Sequence, residues 1–329
     1  MRMRIGILLT TLALAGFAPA VWVQAAPAAK IKVALVLPGP ITDQGWNQMA
    51  YSGLTGVKEA YGAEIAYTEN TPASDYEEIF QGYAVAGYDV IVGHGFEFGD
   101  AAKAVAKRFP NTKFIVTSTN ISQAPNVASL STNETQSGFV QGAIAALLTK
   151  TGKVAFIGGM QIPPTLNQKN GFIAGAKYVK PSVQATGAFT GSFDDVSKAK
   201  EMARAMLEGG ADIIVPDADA ANLGVVEVVK EKGAFIVGTI SDMGQNYPDI
   251  TITSSIHNFQ TSFKTAIGYV LNGTFKPVAY DMGLKEGTIY LAPYRAQKSR
   301  ITGDVKKKID TIVAKLTAGQ IDLKALVAK

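Results

Sequence analysis

The stretch IKVALVLPGPITDQGWNQMAYSGLTGVKEAYGAEIAYT, residues 31–68, decides the fold. It begins with a continuous apolar run, Ile31–Leu37, and passes through a loop rich in glycine and proline. Apolar residues at helical spacing follow over Trp46–Tyr61, and a second short strand-like run covers Glu64–Thr68. A buried strand, a helix and another strand in this order form a βαβ unit whose strands run parallel. We therefore expect a parallel sheet covered by helices.

The same alternation continues along the rest of the chain. Further strands are predicted at Tyr88–Val92, Lys113–Val116, Val127–Ser131, Lys153–Ile157, Val183–Phe189, Asp212–Val215, Phe235–Thr239 and Ile250–Ser254. Further helices are predicted at Asp75–Ala86, Asp100–Phe109, Gln136–Leu148, Asn167–Tyr178, Val196–Glu208, Leu223–Lys232, Thr261–Leu271 and Lys306–Leu316, with a hairpin-like region at Tyr280–Tyr290. A chain of this length is too long for a single hydrophobic core. The pattern therefore predicts an α/β protein with two doubly wound parallel-sheet lobes.

The first residues have the layout of a secretory signal peptide. Arg2 and Arg4 form a short basic start, Ile5–Phe17 is an uncharged apolar run, and Val23–Ala26 offers small residues for cleavage. We expect residues 1–26 to be removed and the mature protein to be periplasmic. A retained membrane anchor is the alternative, although the apolar run is short for one. The chain contains no cysteine, so neither a lipid anchor at the cleavage point nor a disulfide is expected.

Charge and composition exclude several classes of function. Without Arg2 and Arg4, 29 basic residues face 27 acidic ones, and a net charge of +2 argues against nucleic-acid binding. The chain has only two histidines, His94 and His257, no cysteine nucleophile, no G-x-S-x-G elbow and no H-E-x-x-H pair. We therefore expect a protein that is not an enzyme and uses no metal or cofactor.

The loop after the first predicted strand holds the most informative side chains. In open α/β sheets, ligands bind outside the carboxyl ends of the strands, where this loop lies. Trp46 could stack on a flat ligand while Asp43 and Asn47 bond to its edge. Two other interpretations stay open, because Asp43 could simply cap the following helix and Trp46 could be a core residue.

The loops after later strands supply the remaining candidates. Gly95 and Phe96 follow one strand, in a G-x-G-x-x-x-G segment that departs from the dinucleotide-binding spacing. Phe193 lies after another strand, where it could oppose the first aromatic side chain across a cleft. Asp217 and Asp242 follow two further strands. We interpret Asp217 as a polar ligand contact rather than as a catalytic acid.

Several stretches of this sequence resemble one protein family in their order and spacing. They are Asp43–Asn47, Tyr88–Phe96, Gly138–Ala146, Gly152–Met160, Gly171–Lys177, Gly191–Asp195 and Gly210–Asp212. The chain is similar over most of residues 31–295 to the basic membrane protein (BMP) family of ABC-transporter substrate-binding proteins, which includes purine nucleoside receptors. The resemblance implies a periplasmic-binding-protein type I fold with a three-stranded hinge. It also implies purine stacking between Trp46 and Phe193, with Asp43 and Asn47 as polar partners.

The hinge crossings of such a fold divide the chain into two discontinuous lobes. We expect residues 27–131 plus 257–282 in lobe 1 and residues 132–256 plus 283–329 in lobe 2. The resemblance also implies an ABC permease and its ATPase as partners. A monomer is expected.

Two positions depart from the nucleoside receptors. Ile240 stands where those receptors have an acid that holds ribose hydroxyls, and His257 stands where the family often has a lysine. A ribose without these partners would leave hydroxyl groups poorly paired, at about 1–3 kcal/mol for each buried group. We therefore expect a free purine base or a similar heterocycle. The alternatives are a nucleoside receptor of the same family, a sensory receptor that signals to a membrane kinase, and a secreted nucleoside hydrolase.

Overall fold

The computed structural model describes residues 30–43 and 45–328. The predicted signal peptide, residues 1–26, lies outside these described residues. Within the described part of the chain, no helix is long and apolar enough to cross a membrane.

Lobe 1 contains six strands and four helices of the described chain. The strands are β1 (Lys32–Val36), β2 (Glu64–Thr68), β3 (Val90–Gly93), β4 (Lys113–Thr117), β5 (Val127–Thr132) and β11 (Ala279–Met282). The helices are α1 (Trp46–Tyr61), α2 (Tyr76–Val85), α3 (Gly99–Ala106) and α8 (Phe259–Leu271). The strand order is β2-β1-β3-β4-β5-β11, and every neighbouring pair is parallel.

Lobe 2 repeats this architecture with the next part of the chain. Its strands are β6 (Lys153–Gly158), β7 (Gln184–Phe189), β8 (Ile213–Asp217), β9 (Phe235–Ile240), β10 (Thr251–His257) and β12 (Ile289–Leu291). Its helices are α4 (Glu134–Leu148), α5 (Pro163–Val179), α6 (Val196–Glu208), α7 (Asn222–Lys232), α9 (Gly303–Thr317) and α10 (Leu323–Val327). The strand order is β7-β6-β8-β9-β10-β12, and only the edge strand β12 is antiparallel. The prediction of two doubly wound lobes is confirmed.

The predicted hairpin-like region at Tyr280–Tyr290 is wrong. β11 pairs with β5 in lobe 1, whereas β12 pairs with β10 in lobe 2, so the two strands belong to different sheets. The segment between them carries the chain from one lobe to the other. Two short strands close together in sequence resemble a hairpin, and only their distant partners distinguish the two cases.

Three crossings connect the lobes, after β5, after β10 and after β11. Backbone hydrogen bonds tie these crossings together. The N–H of Asn133 donates to the carbonyl oxygen of Met282 at 2.8 Å, and the N–H of Asn258 donates to that of Thr288 at 2.8 Å. The side chains of Asn133 and Asn258 also cap α4 and α8, the helices that follow the first two crossings. The crossings are therefore anchored at helix starts.

Both sheets are buried by helices on their two faces. In lobe 2 the helices α4 and α5 approach unusually closely, because Gly138 and Gly142 of α4 face Gly171 and Gly175 of α5. A Cβ atom added to Gly142 would lie 2.7 Å from the carbonyl carbon of Phe172, which leaves no room for a side chain. This tight pair brings the first turns of both helices to the edge of the sheet that faces lobe 1.

Each sheet has one topological switch point, where the chain changes the direction in which it adds strands. It lies between β1 and β3 in lobe 1 and between β6 and β8 in lobe 2. Loops leave such a point in opposite directions and open a crevice outside the carboxyl ends of the strands. The loops at these four strand ends therefore define the candidate site.

Candidate ligand site between the lobes

Asp43 holds the start of α1 in the loop after β1. Its Oδ1 accepts hydrogen bonds from the N–H of Gly45 at 2.9 Å and of Gln48 at 3.0 Å. Its Oδ2 accepts from the N–H of Asn47 at 2.7 Å and from the Asn47 Nδ2 at 2.8 Å. These are N–H groups of a first helical turn, which have no partners within the helix. Asp43 thus has the capping role that the sequence left open, and these four hydrogen bonds all come from residues 45–48.

Asn47 also braces this loop. It is buried, and its Oδ1 faces the N–H of Gly39 at 3.4 Å while its amide donates to Asp43. A direct bond from Asp43 or Asn47 to the edge of a ligand would have to compete with these contacts. Both side chains position Trp46, the first residue of α1. The edge contacts with a ligand that the sequence predicts for them remain predictions.

Trp46 lies on a platform of two other rings. Its indole stacks on the imidazole of His94, with ring centroids 4.1 Å apart and an interplanar angle of 26°. Phe259 of α8 meets the indole edge-on at 5.2 Å. Trp46 remains partly exposed, so it both packs on the lobe 1 core and presents surface to the cleft.

His94 is the site residue whose role sequence reasoning missed. It follows β3 directly, is fully buried, and is fixed by Thr117 Oγ1 at 3.0 Å from Nδ1 and by the carbonyl oxygen of Trp46 at 3.2 Å from Nε2. Burial lowers the pKa of His94 to about 3, so the ring is neutral near pH 7. Its position at the lobe 1 switch point was the available signal.

Gly95 and Phe96 continue this loop at the rim of lobe 1. Gly95 has a φ of 137°, a conformation that essentially only glycine adopts, and it turns the chain into a short 3₁₀ segment, Phe96–Phe98. The Phe96 side chain is 42% exposed, whereas Phe98 is buried among the rings of α2. The predicted ligand contacts of Gly95 and Phe96 remain predictions.

Phe193 occupies the corresponding region of lobe 2. Its ring lies against Gly159, where an added Cβ would be 3.0 Å from the Phe193 Cγ. Its carbonyl oxygen accepts a hydrogen bond from the N–H of Ala221 at 2.9 Å, which ties it to the loop after β8. Phe193 therefore lies beside the ends of β6 and β8, as Trp46 lies beside the ends of β1 and β3.

Asp217 ends β8 and Asp219 follows it, and both bring acidic groups to the cleft. Asp217 is buried, and desolvation raises its pKa to about 7. Burial, with the nearby charges of Asp43 and Asp217, raises the pKa of Asp219 to about 8. Asp219 has a left-handed backbone conformation, with a φ of 46°.

Asp219 is also a point of contact between the lobes. The backbone N–H of Trp46 donates to its carboxylate, and an added Cβ on Gly45 would lie 3.1 Å from its Oδ1. Trp46 and Gly45 belong to lobe 1 and Asp219 to lobe 2, so the cleft is closed at this point.

Asp242 makes its contacts within lobe 2. Its carboxylate forms an ion pair with Arg295 and accepts from the N–H of Gly244 at 3.2 Å. This pairing holds the loop after β9 against the segment Arg295–Arg300. The predicted ligand contact of Asp242 remains a prediction.

A buried polar network lies beneath the lobe 2 side of the cleft. His257 at the end of β10 is 3.4 Å from Glu134 Oε2 and 3.2 Å from Ser137 Oγ, both on the first turn of α4. Desolvation lowers the pKa of His257 to about 4 and, with the charges of Asp217 and Asp281, raises the pKa of Glu134 well above its usual range. His257 is therefore neutral near pH 7, and burial favours the protonated form of Glu134.

Comparison with known proteins identifies the family. The family model "ABC transporter substrate-binding protein PnrA-like" matches residues 30–326. The chain belongs to this family. Its fold is the periplasmic-binding-protein type I fold: a solute-binding protein of an ABC transporter system from Aeropyrum pernix superposes with a TM-score of 0.77 at 24% identity, covering 89% of this chain and 92% of that one.

Two curated relatives carry names that specify a ligand. A purine-binding protein of Brucella abortus is 29% identical over 296 residues, covering 89% of this chain and 83% of its own length. An ABC transporter nucleoside-binding protein of Lactococcus lactis is 29% identical over 305 residues, covering 84% of this chain and 85% of its own. The family resemblance noted from sequence is thereby confirmed.

Proposed function

We propose that this protein captures a free purine base between its lobes and delivers it to an ABC permease. One observation carries the proposal: Trp46 and Phe193 stand at the switch points of two facing sheets. Aromatic side chains in such positions can cover both faces of a flat heterocycle and exclude water from it. The names of the Brucella and Lactococcus relatives support a purine or nucleoside ligand.

The preference for a base over a nucleoside rests on Ile240 and His257. Ile240 ends β9 as a buried apolar side chain, and His257 is 1% exposed with its Nε2 directed to Glu134 and Ser137. Ile240 offers no polar group to ribose hydroxyls, and the Nε2 of His257 is occupied by its contacts with Glu134 and Ser137. Buried hydroxyls without partners disfavour the nucleoside.

Calorimetry with adenine, guanine, xanthine and their nucleosides tests the ligand class. We expect each bound base to have an affinity at least about tenfold higher than its nucleoside, which corresponds to about 1.4 kcal/mol. Tighter binding of nucleosides would refute the preference for bases. Absence of binding to every purine would refute the proposed ligand class.

Alanine variants test the aromatic clamp. Trp46→Ala and Phe193→Ala should each weaken binding by about tenfold or more, since stacking of a base on an aromatic ring contributes about 1–3 kcal/mol. Tyr290→Ala is the matched control, because Tyr290 is an exposed aromatic residue on the edge strand β12. Unchanged affinity in both clamp variants would refute the stacking role.

Export is tested separately from binding. We expect the protein in the periplasmic fraction, with a mature N-terminus at Ala26 or Pro27. Edman sequencing of the purified protein measures this directly. A chain that keeps residues 1–26 and stays with the membrane fraction would instead support the retained anchor.

A further inference from the structure

A directional chain of hydrogen bonds runs through lobe 2 below the cleft. It starts at the backbone carbonyl oxygen of Gly238 in β9, to which the Nε2 of Gln141 donates at 2.8 Å. A carbonyl oxygen can only accept, so this contact fixes the orientation of the Gln141 amide. The Oε1 of Gln141 must therefore face the next residue, and the Nε2 of Gln168 donates to it at 3.0 Å.

The far side of the Gln168 amide meets two carboxyl groups. With its nitrogen directed to Gln141, its Oε1 lies 3.2 Å from Asp217 Oδ2 and 3.3 Å from Glu134 Oε2. Three oxygen atoms at hydrogen-bonding distance require a hydrogen between them. Because an amide oxygen cannot donate, one of the two carboxyl groups must carry the proton.

The opposite orientation of Gln168 does not remove this requirement. Its nitrogen would then donate to both carboxylates, but its oxygen would face the Gln141 Oε1 at 3.0 Å. Rotating the Gln141 amide as well would place its oxygen 2.8 Å from the carbonyl oxygen of Gly238. Either arrangement leaves two buried acceptors in contact, which costs about 1–3 kcal/mol or more. A protonated carboxyl group gives the Gln168 oxygen a donor and keeps the contacts of Gln141 and Gly238 intact, and a proton on both carboxyl groups satisfies every member of the chain.

We infer that Glu134 and Asp217 hold at least one proton between them, so that the pair carries at most one negative charge beneath the ligand. Gln141 and Gln168 are positioning residues in this arrangement, since their amides orient the carboxyl groups without touching the ligand. Selectivity follows, because a pair with reduced charge attracts a cationic ligand less than two carboxylates would and thereby favours an uncharged heterocycle.

The groups around the pair favour the protonated form. Glu134 is faced by Asp217, by Asp281 of β11 and by the neutral His257 of β10, and Asp217 lies near Asp219. The pKa values of Glu134 and Asp217 are both raised, by burial first. Two buried carboxyl groups that share a site cannot both ionise readily, so the second ionisation of the pair is shifted to higher pH.

Carbon-13 NMR of the side-chain carboxyl carbons tests the proton without any ligand. Glu134→Gln and Asp217→Asn assign the two signals, and Glu59→Gln is the control because Glu59 is an exposed acid on α1. We expect at least one of the two carbons to titrate with a midpoint near pH 7 or above. Midpoints below pH 5.5 for both carbons would overturn the inference.

A second measurement tests the consequence for binding and rests on the proposed function. The carboxyl group of Asp217 is neutral below about pH 7, and further burial by a bound base raises its pKa again. Affinity should therefore be highest near pH 6 and fall by up to about tenfold per pH unit above pH 7. Asp217→Asn cannot ionise, so its affinity should no longer depend on pH between pH 6 and pH 9.

The two measurements separate the two claims. A high NMR midpoint without binding of adenine would refute the ligand class and leave the proton in place. Binding of adenine with an affinity that is the same from pH 6 to pH 9 would overturn the role of the protonated pair in binding.

Discussion

At the scale of single residues, Asp43 shows what the loop after β1 requires. Four hydrogen bonds to one carboxylate hold the chain between Asp43 and Gln48 in a single shape, and that shape fixes where Trp46 leaves the loop. The sequence alone allowed both a capping and a ligand-binding interpretation. The two differ only in where the carboxylate points, and no pattern of residue types encodes that direction.

Asp43→Ala should lower the free energy of unfolding by about 1–2 kcal/mol, the usual effect of losing a strong helix cap. Chemical denaturation followed by circular dichroism measures it. The control is Asp75→Ala, since Asp75 stands at the N-terminus of α2 without capping it and should cost only a few tenths of a kcal/mol. Equal effects of the two substitutions would contradict the capping role.

His94 should make the protein sensitive to acid. Its pKa is about 3 in the folded chain and about 6.5 when exposed, so the unfolded state takes up a proton first as the pH falls below 6.5. The free energy of unfolding then decreases by up to about 1.4 kcal/mol per pH unit. His94→Phe keeps a ring beneath Trp46 and removes this pH-dependent decrease in the free energy of unfolding.

The slope of the free energy of unfolding against pH, measured between pH 6.5 and pH 4, tests the role of His94. A difference in this free energy between wild type and His94→Phe that does not change with pH would reflect only the lost contacts with Thr117 and Trp46. We expect the difference to shrink as the pH falls. A parallel pair of curves would contradict the buried neutral histidine.

At the scale of elements, the sequence predicted the long helices and buried strands well, because periodicity reports which face is buried. The limits of α1 and α6 agree with the prediction. The starts of α4 and α8 were placed two residues too late, although Asn133 and Asn258 are recognisable caps. The strands β11 and β12 were misread because strands of three or four residues carry too little periodicity to reveal their partners. The partner of β11 is β5, more than a hundred residues earlier in the chain, and the partner of β12 lies in the other sheet.

The glycines between α4 and α5 should be among the least replaceable residues of the fold. Gly142→Ala forces a Cβ against the backbone of Phe172, so the helices must separate, and we expect a loss of about 1–3 kcal/mol or more. Gly82→Ala is the control, since Gly82 lies within α2 with open space around it. That substitution should stabilise the protein by about 0.5–1 kcal/mol.

Thermal and chemical denaturation of the two alanine variants compare them directly. Both substitutions place alanine inside a helix, so both gain the same helix propensity. Opposite signs of their effects on the free energy of unfolding would therefore isolate the effect of helix packing. A stabilising effect of Gly142→Ala would show that the two helices can move apart at little cost.

At the scale of the whole molecule, the two lobes place equivalent loops against each other. The predicted strands place Trp46, Phe193 and Asp217 after strand ends, and in the structure Asp217 ends β8 while Trp46 and Phe193 lie beyond β1 and β7. It could not show that Asp219 reaches the start of α1, because that contact joins residues far apart in the chain and depends on the angle of the three crossings. The pairing of Asp242 with Arg295 could not be recognised for the same reason, since Arg295 lies in another segment.

The contact of Asp219 with Trp46 should make closure of the lobes depend on pH. The pKa of Asp219 is about 8 in the closed form, raised by burial and by Asp43, Asp217 and Asp194, whereas water around an open cleft returns it towards 3.8. The closed form therefore binds a proton more readily. The free energy by which protonation of Asp219 favours the closed form is fully present below the pKa of the open form and is lost as the pH rises through about 8.

Asp219→Asn removes this dependence and keeps the local geometry. Asparagine tolerates the left-handed backbone at this position, and its side-chain oxygen can still accept from the Trp46 N–H. We expect the variant to be more compact than wild type at pH 9, and indistinguishable from it only well below pH 8. Small-angle X-ray scattering of the ligand-free protein measures the difference as a smaller radius of gyration. Asp249→Asn, an exposed acid outside the cleft, is the control. Equal radii for wild type and Asp219→Asn at pH 9 would mean that the charge of Asp219 does not oppose closure.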